Sequence, residues 1–84
     1  MNYNIACLLI FMRRRVYSKD RFELGAKLVN AREEMNLKQT DVCKKLGISQ
    51  SDLSKIENGQ KKLDFLFLLE LTKLYKKTLE YFIP

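Results

Sequence analysis

The sequence predicts one all-α domain, and three observations support this prediction. From Leu24 onwards, apolar residues recur every three or four positions, the spacing that lines one face of a helix. The 84 residues are 46% apolar, which suits a single packed core. Charged residues make up 31% and no segment has low complexity, so disorder throughout is not expected. We expect a helical domain over residues 20–84, preceded by an extension over residues 1–19.

The charge balance indicates an acidic macromolecular partner. The chain carries 16 Lys and Arg residues against 10 Asp and Glu, a net charge of +6. It has no His, and its two cysteines, Cys7 and Cys43, lie far apart, so we expect no metal and no cofactor. No acid pair or Cys–base pair offers a general base, which argues against an enzyme. Cys43 is best interpreted as a buried thiol in a reducing cytoplasm.

The N-terminal extension combines an apolar run with a basic cluster. Ile5–Met12 is an unbroken apolar run of eight residues, and Arg13–Arg15 follow it directly. A membrane span needs about 20 apolar residues, and a secretion signal has its charge before the apolar run, so we expect no membrane partner. Four interpretations stay open: a strand or short helix packing on the domain or on a second subunit, a disordered tail, a translated extension before a natural start at Met12, or a basic arm reaching phosphates. Packing is favoured, because an exposed apolar octet would promote aggregation.

The first helix is expected to begin at an Asp20 cap and to extend to about Met35. Arg32 lies beside its apolar stripe rather than opposite it. The stripe consists of Leu24, Leu28, Ala31 and Met35, with Phe22 and Leu37 extending it at the two ends.

The second and third helices are short and joined by a tight turn. Val42, Cys43 and Leu46 have helical spacing, Gly47 interrupts them, and Leu53 and Ile56 resume the pattern up to Asn58. Gly47 suits the left-handed conformation that ends a helix, and Ser49 can cap the next one. Two helices of about two turns each need a surrounding core to hold them. The pattern predicts a helix-turn-helix whose second member, starting at Gln50, presents a polar outer face.

From Leu24 to about Phe82, the chain resembles the helix-turn-helix domains of the Cro, phage-repressor and XRE transcriptional regulators. The resemblance rests on Arg32, Gln39, a small residue at Cys43, Gly47, Ser49, Ser54 and the run Ile56–Gly59. It implies a five-helix, phage-repressor-like fold that binds double-stranded DNA. It also implies that Arg32 and Glu57 form a structural pair that ties the first helix to the third.

The polar face of the third helix supplies the expected contacts with bases. Gln50 and Ser51 lie at the end that enters the major groove in this class, and Lys55 follows one turn later; such side chains can pair with base edges. The resemblance and the chemistry of helix ends and basic loops indicate a second set, which contacts the DNA backbone. This set consists of Lys38, Gln39, Ser49, Ser54, Asn58, Lys61 and Lys62.

The fourth helix is expected over Phe65–Tyr75, after an Asp64 cap, and is more apolar than one buried face requires. We divide it into a stripe of Phe65, Leu68, Leu69 and Thr72 and a second stripe of Phe67, Leu71 and Leu74. A dimer interface would explain the excess, and we assign to it Phe67, Leu71, Leu74 and Tyr81. Lys76–Lys77 replaces the Gly-containing turn of relatives. Thr78 is expected to cap a last helix with Leu79 and Phe82 in the core.

These features predict a cytoplasmic, sequence-specific transcriptional regulator, a repressor or autoregulating controller, acting as a homodimer on a palindromic operator. The alternative is a protein-interaction module, such as the antitoxin of a toxin–antitoxin pair. In that case the apolar fourth helix and the apolar N-terminal run would carry the main site, and a second polypeptide would be the partner.

Overall fold

The computed structural model of the protein describes residues 18–83, and this part of the chain is helical without strands. The interpretations of the N-terminal extension therefore lie outside the described residues. Within residues 18–83, the five helices are α1 (Ser18–Glu34), α2 (Gln39–Leu46), α3 (Gln50–Glu57), α4 (Phe65–Tyr75) and α5 (Leu79–Phe82). The predicted all-α, phage-repressor-like fold is confirmed.

Helix α1 begins at Ser18, so Asp20 lies inside its first turn and the predicted cap at Asp20 is wrong. The helix ends at Glu34, and Asn36 follows in the left-handed region with a φ of 56°. Phe22 was expected to extend the buried stripe, but its side chain is 66% exposed. The apolar face of α1 therefore starts at Leu24.

The turn between α2 and α3 has the predicted geometry. Gly47 adopts a φ of +69°, and its N–H donates to the carbonyl oxygen of Cys43 over 2.9 Å. Ser49 caps α3, because its hydroxyl oxygen accepts from the N–H of Asp52 over 3.1 Å. The start of α3, the end that can enter a groove, is thus fixed relative to α2.

Helix α1 packs directly on the end of α3 at Gly25. A Cβ atom at Gly25 would collide with the carbonyl oxygen of Glu57 and would lie 3.1 Å from that of Ile56. Only a residue without a side chain allows this approach. The close contact sets the position of α3 on the rest of the domain.

One apolar core joins all five helices. Its members are Leu24, Leu28, Ala31, Val42, Leu53, Ile56, Leu68, Leu71, Tyr75, Leu79 and Phe82. The predicted core positions of Leu79 and Phe82 are confirmed, since 0% and 1% of these residues are exposed.

Helix α4 buries a different stripe from the two predicted. Its buried residues are Leu68, Leu71, Thr72 and Tyr75, at successive spacings of three, one and three. This set straddles both predicted stripes, because the stripes are centred about 140° apart around the helix and the face that meets the core lies between them. Leu71 is fully buried within one subunit, so its predicted place at a dimer interface is wrong.

Candidate nucleic-acid interface

A buried carboxylate lies at the centre of the candidate site. The Glu57 side chain, at the end of α3, is only 2% exposed and accepts from two nitrogen atoms of Arg32 on α1. The distances are 2.8 Å from Nε to Oε2 and 3.4 Å from Nη2 to Oε1. Arg32 Nη1 also donates to the carbonyl oxygen of Leu37 over 2.9 Å, so one guanidinium ties together α1, the α1–α2 link and α3.

The charge on Arg32 is secured by this environment. Partial burial disfavours the charged guanidinium, but the hydrogen bond and the negative charge of Glu57 outweigh it and raise the pKa of Arg32. The expected pair of Arg32 and Glu57 is therefore present as a buried ion pair. It acts as a fixed support for α3.

Gln39, the first residue of α2, extends this network to the surface. Its Nε2 donates to Glu57 Oε1 over 2.7 Å, and its Oε1 accepts from Gln50 Nε2 over 3.3 Å. Gln39 is half buried, whereas Gln50 is exposed at the start of α3. The network thus runs from a buried ion pair to the side chain expected to read a base.

The outer face of α3 is polar and accessible. Gln50, Ser51 and Lys55 are exposed, and Ser54 between them is half buried. Leu53, Ile56 and Glu57 occupy the opposite, buried face. The side chains expected to contact DNA along the flanks of this helix are also exposed, namely Lys38, Ser49, Asn58, Lys61 and Lys62.

Lys61 has a protein partner that the sequence did not indicate. Its Nζ lies 3.1 Å from Oδ1 of Asp52, in the first turn of α3, and about half of each side chain is exposed (47% and 45%). The hydrogen bond and positive charge of Lys61 hold the pKa of the Asp52 carboxyl below its usual range. Asp52 thus stays ionised on the flank of the polar face.

Sequence reasoning missed two residues that shape the site, Gly25 and Asp52. A signal for Gly25 was available, since a glycine beside the apolar stripe of a helix indicates close backbone approach. No spacing rule connects Asp52 with Lys61 nine positions later. That pair depends on the path of the loop after α3.

The expected contacts with a second subunit involve half-buried residues. Phe67, Leu74 and Tyr81 are each partly exposed and pack against the core. Leu66, which was not predicted, is 69% exposed on α4. The Tyr81 ring meets Phe82 edge-on at 4.9 Å, and Lys77 Nζ lies 4.8 Å from the Tyr81 ring centroid.

Residues 18–83 offer neither a metal site nor a membrane-spanning helix. This region contains no cluster of His, Cys, Asp and Glu that could hold a metal ion. It also contains no helix with the length and apolar character needed to cross a membrane.

A short helix with an exposed polar face, held by a tight turn against a second helix, defines a helix-turn-helix protein. The comparison with protein families agrees: a model described as helix-turn-helix matches residues 28–82, more than half of the chain. The chain belongs to this Cro/C1-type (XRE) helix-turn-helix family. Members of this family are DNA-binding regulators.

Among curated proteins, the chain is similar to the ImmF control region 10 kDa protein of Bacillus phage phi105. The two are 50% identical over 38 residues, which cover 45% of this chain and 42% of that relative. The match thus spans less than half of either protein. No solved structure matches the chain.

Proposed function

We propose that the protein binds a palindromic operator as a homodimer and represses transcription by occupying it. The observation that carries this proposal is the exposed edge of Gln50, Ser51 and Lys55 on a helix whose far end is fixed by the buried Arg32–Glu57 pair. A rigid support holds the base-reading side chains in place before DNA binds. Binding therefore costs little conformational entropy.

The base contacts follow from the donors and acceptors on this edge. Gln50 can donate to adenine N7 and accept from adenine N6, and Lys55 can donate to guanine O6 or N7. Ser51 can serve either kind of base edge. Gln39 accepts a hydrogen bond from Gln50 and so orients its side chain. The remaining amide hydrogen of Gln39 can be donated to a phosphate, as can the free N–H groups at the start of a helix.

Backbone contacts would grip the DNA on both sides of the groove. Lys38 and Gln39 at the start of α2 form one flank. Lys61 and Lys62 after α3 form the other. Ser49, Ser54 and Asn58 would hydrogen-bond phosphates near the reading helix. These contacts release counterions, so affinity falls with salt at a log–log slope of about −0.9 per phosphate.

A second subunit would supply the selectivity that one reading helix lacks. Two copies related by a twofold axis present two α3 helices to half-sites about 34 Å apart. The accessible apolar side chains Leu66, Phe67, Leu74 and Tyr81 support a subunit contact on the side of α4 and α5. The similarity to a phage control-region protein supports a role in gene control. The bound domain would regulate transcription by occupying the operator.

Selection of bound duplexes from a random pool at physiological salt tests this proposal. We expect a palindromic site, and we expect the Gln50→Ala variant to lose base preference at one position per half-site. Lys62→Ala is the matched control, because loss of a phosphate contact weakens binding to all sequences alike. A pool that yields no preferred sequence, or a non-palindromic one bound by a monomer, would overturn the proposal.

A further inference from the structure

Asp52 occupies an unusual place for an acidic residue. It is the third residue of α3, in the turn that precedes the proposed reader Lys55, and its side chain is 45% exposed. At about 100° per residue, Asp52 lies only about 60° around the helix from Lys55. The carboxylate therefore borders the face proposed to meet the DNA. The phosphates would repel a negative charge there unless another group compensates for it.

The chemistry of an ionised carboxylate restricts what it can face in the major groove. It has only acceptors, so it can accept from cytosine N4 but is repelled by the acceptor atoms of guanine and by thymine O4. Adenine offers a donor at N6 but places the acceptor N7 beside it. Cytosine is therefore the base that suits Asp52 best.

Lys61 makes such a carboxylate tolerable next to DNA. Its ammonium group neutralises Asp52 across 3.1 Å, and an ammonium group has three donors. Lys61 can thus hold Asp52 Oδ1 and a phosphate together, and a carboxylate offers further acceptor sites beside the one that Lys61 occupies. Lys55 adds positive charge from the next turn of α3, which also favours the ionised form of Asp52.

We infer that Asp52 is a specificity-determining residue that selects cytosine in each half-site. The inference rests on the proposed function, because it requires α3 to enter the major groove. Lys55 on the neighbouring edge selects guanine, so the pair of side chains complements a G·C pair, or a guanine and a cytosine in neighbouring pairs. Lys61 acts through Asp52 as a positioning residue and contacts the phosphate backbone itself.

Parallel selections from one random pool test this assignment with the full chain. The proteins compared are the wild type, Asp52→Asn, Asp52→Ala and Glu70→Gln. We expect the wild type to prefer cytosine at one position per half-site. Both Asp52 variants should reduce that preference at least about fivefold and leave the preference at the Gln50 position unchanged. Glu70→Gln removes the same charge from an exposed site on α4 and should leave every preference unchanged.

The outcomes separate the two proposals. If the wild type selects a site but the Asp52 variants alter affinity for all duplexes by one common factor, Asp52 acts through charge alone and the inference fails, while the proposed function stands. If the wild type selects no duplex, both fail. Thermal unfolding of each variant verifies that a lost preference is not a lost fold, and Asp52→Asn keeps the size of the side chain.

Discussion

Gln39 donates its side-chain amide to the buried carboxylate of Glu57 over 2.7 Å, so the first residue of α2 is bonded to the last residue of α3. The same carboxylate binds Arg32 of α1. One side chain thus joins the two helices of the motif to the helix that supports them.

Replacing Glu57 by Ala should lower the free energy of unfolding by about 3 kcal/mol or more, because it leaves a largely buried guanidinium without its partner. Urea denaturation measures the loss. Glu34→Ala is the control, since it breaks an ion pair with Lys77 in which Glu34 is 59% exposed, and its effect should be much smaller. Equal losses in the two variants would contradict a structural role for the Arg32–Glu57 pair.

Gln39→Ala should weaken binding to a selected operator by about tenfold and relax the base preference at the Gln50 position, because Gln50 loses its hydrogen-bond partner. Titration of operator duplexes carrying each base at that position measures both effects. Lys38→Ala, one residue earlier, should weaken all duplexes equally. An unchanged Gln50 preference in the Gln39 variant would show that Gln39 acts only on the backbone.

Gly25→Ala should destabilise the fold by about 3 kcal/mol, because the added methyl group collides with backbone atoms at the end of α3, which cannot move aside as a flexible side chain can. Gly47→Ala provides the comparison: no atom lies within 4 Å of the added Cβ, and only the left-handed backbone is penalised, at about 1–2 kcal/mol. Chemical denaturation of both variants gives the two values. A smaller loss at position 25 than at position 47 would refute the close approach.

Tyr75→Phe should raise the free energy of unfolding by about 1 kcal/mol. The Tyr75 hydroxyl is buried and makes no hydrogen bond within residues 18–83, and burial together with the charge of Glu57 raises its pKa. Removing it eliminates an unsatisfied polar group without leaving a cavity of any size. Thermal unfolding measures the gain, with Tyr81→Phe, at a half-buried ring, as a control of unchanged stability. Destabilisation by Tyr75→Phe would mean that the hydroxyl has a partner.

Lys76→Gly should stabilise the protein by about 0.5–1 kcal/mol. Lys76 ends α4 with a φ of 56°, a conformation that strains a residue with a Cβ atom and suits glycine. Lys73→Gly is the matched control inside the last turn of α4, and it should cost about 1 kcal/mol. If both replacements destabilise the protein, the left-handed conformation carries no strain.

The fold was accessible from the sequence because its signals are local. Gly47 and Ser49 mark the turn of the motif, and Asp64 caps α4 by accepting from the N–H of Phe67, as expected. Each of these features depends on residues within four positions. The resemblance to a known family added the pair of Arg32 and Glu57, which no local rule would have connected.

Long-range packing explains the features that the sequence did not predict correctly. The apolar residues of α4 suggested two stripes, and only the position of the core shows that Leu71 faces inward while Leu66 is left outside. The ion pair of Asp52 with Lys61 depends likewise on the path of the loop after α3. The contacts proposed with DNA and with a second subunit stay predictions.

The anchoring of α3 from behind also has an evolutionary consequence. Its accessible residues make no contribution to the apolar core, so they can be exchanged one at a time while the domain keeps its stability. A lineage carrying this chain could therefore change the target of its control circuit by a few point mutations. Substitution of Glu57, in contrast, would first destabilise the fold, whichever DNA sequence is the target.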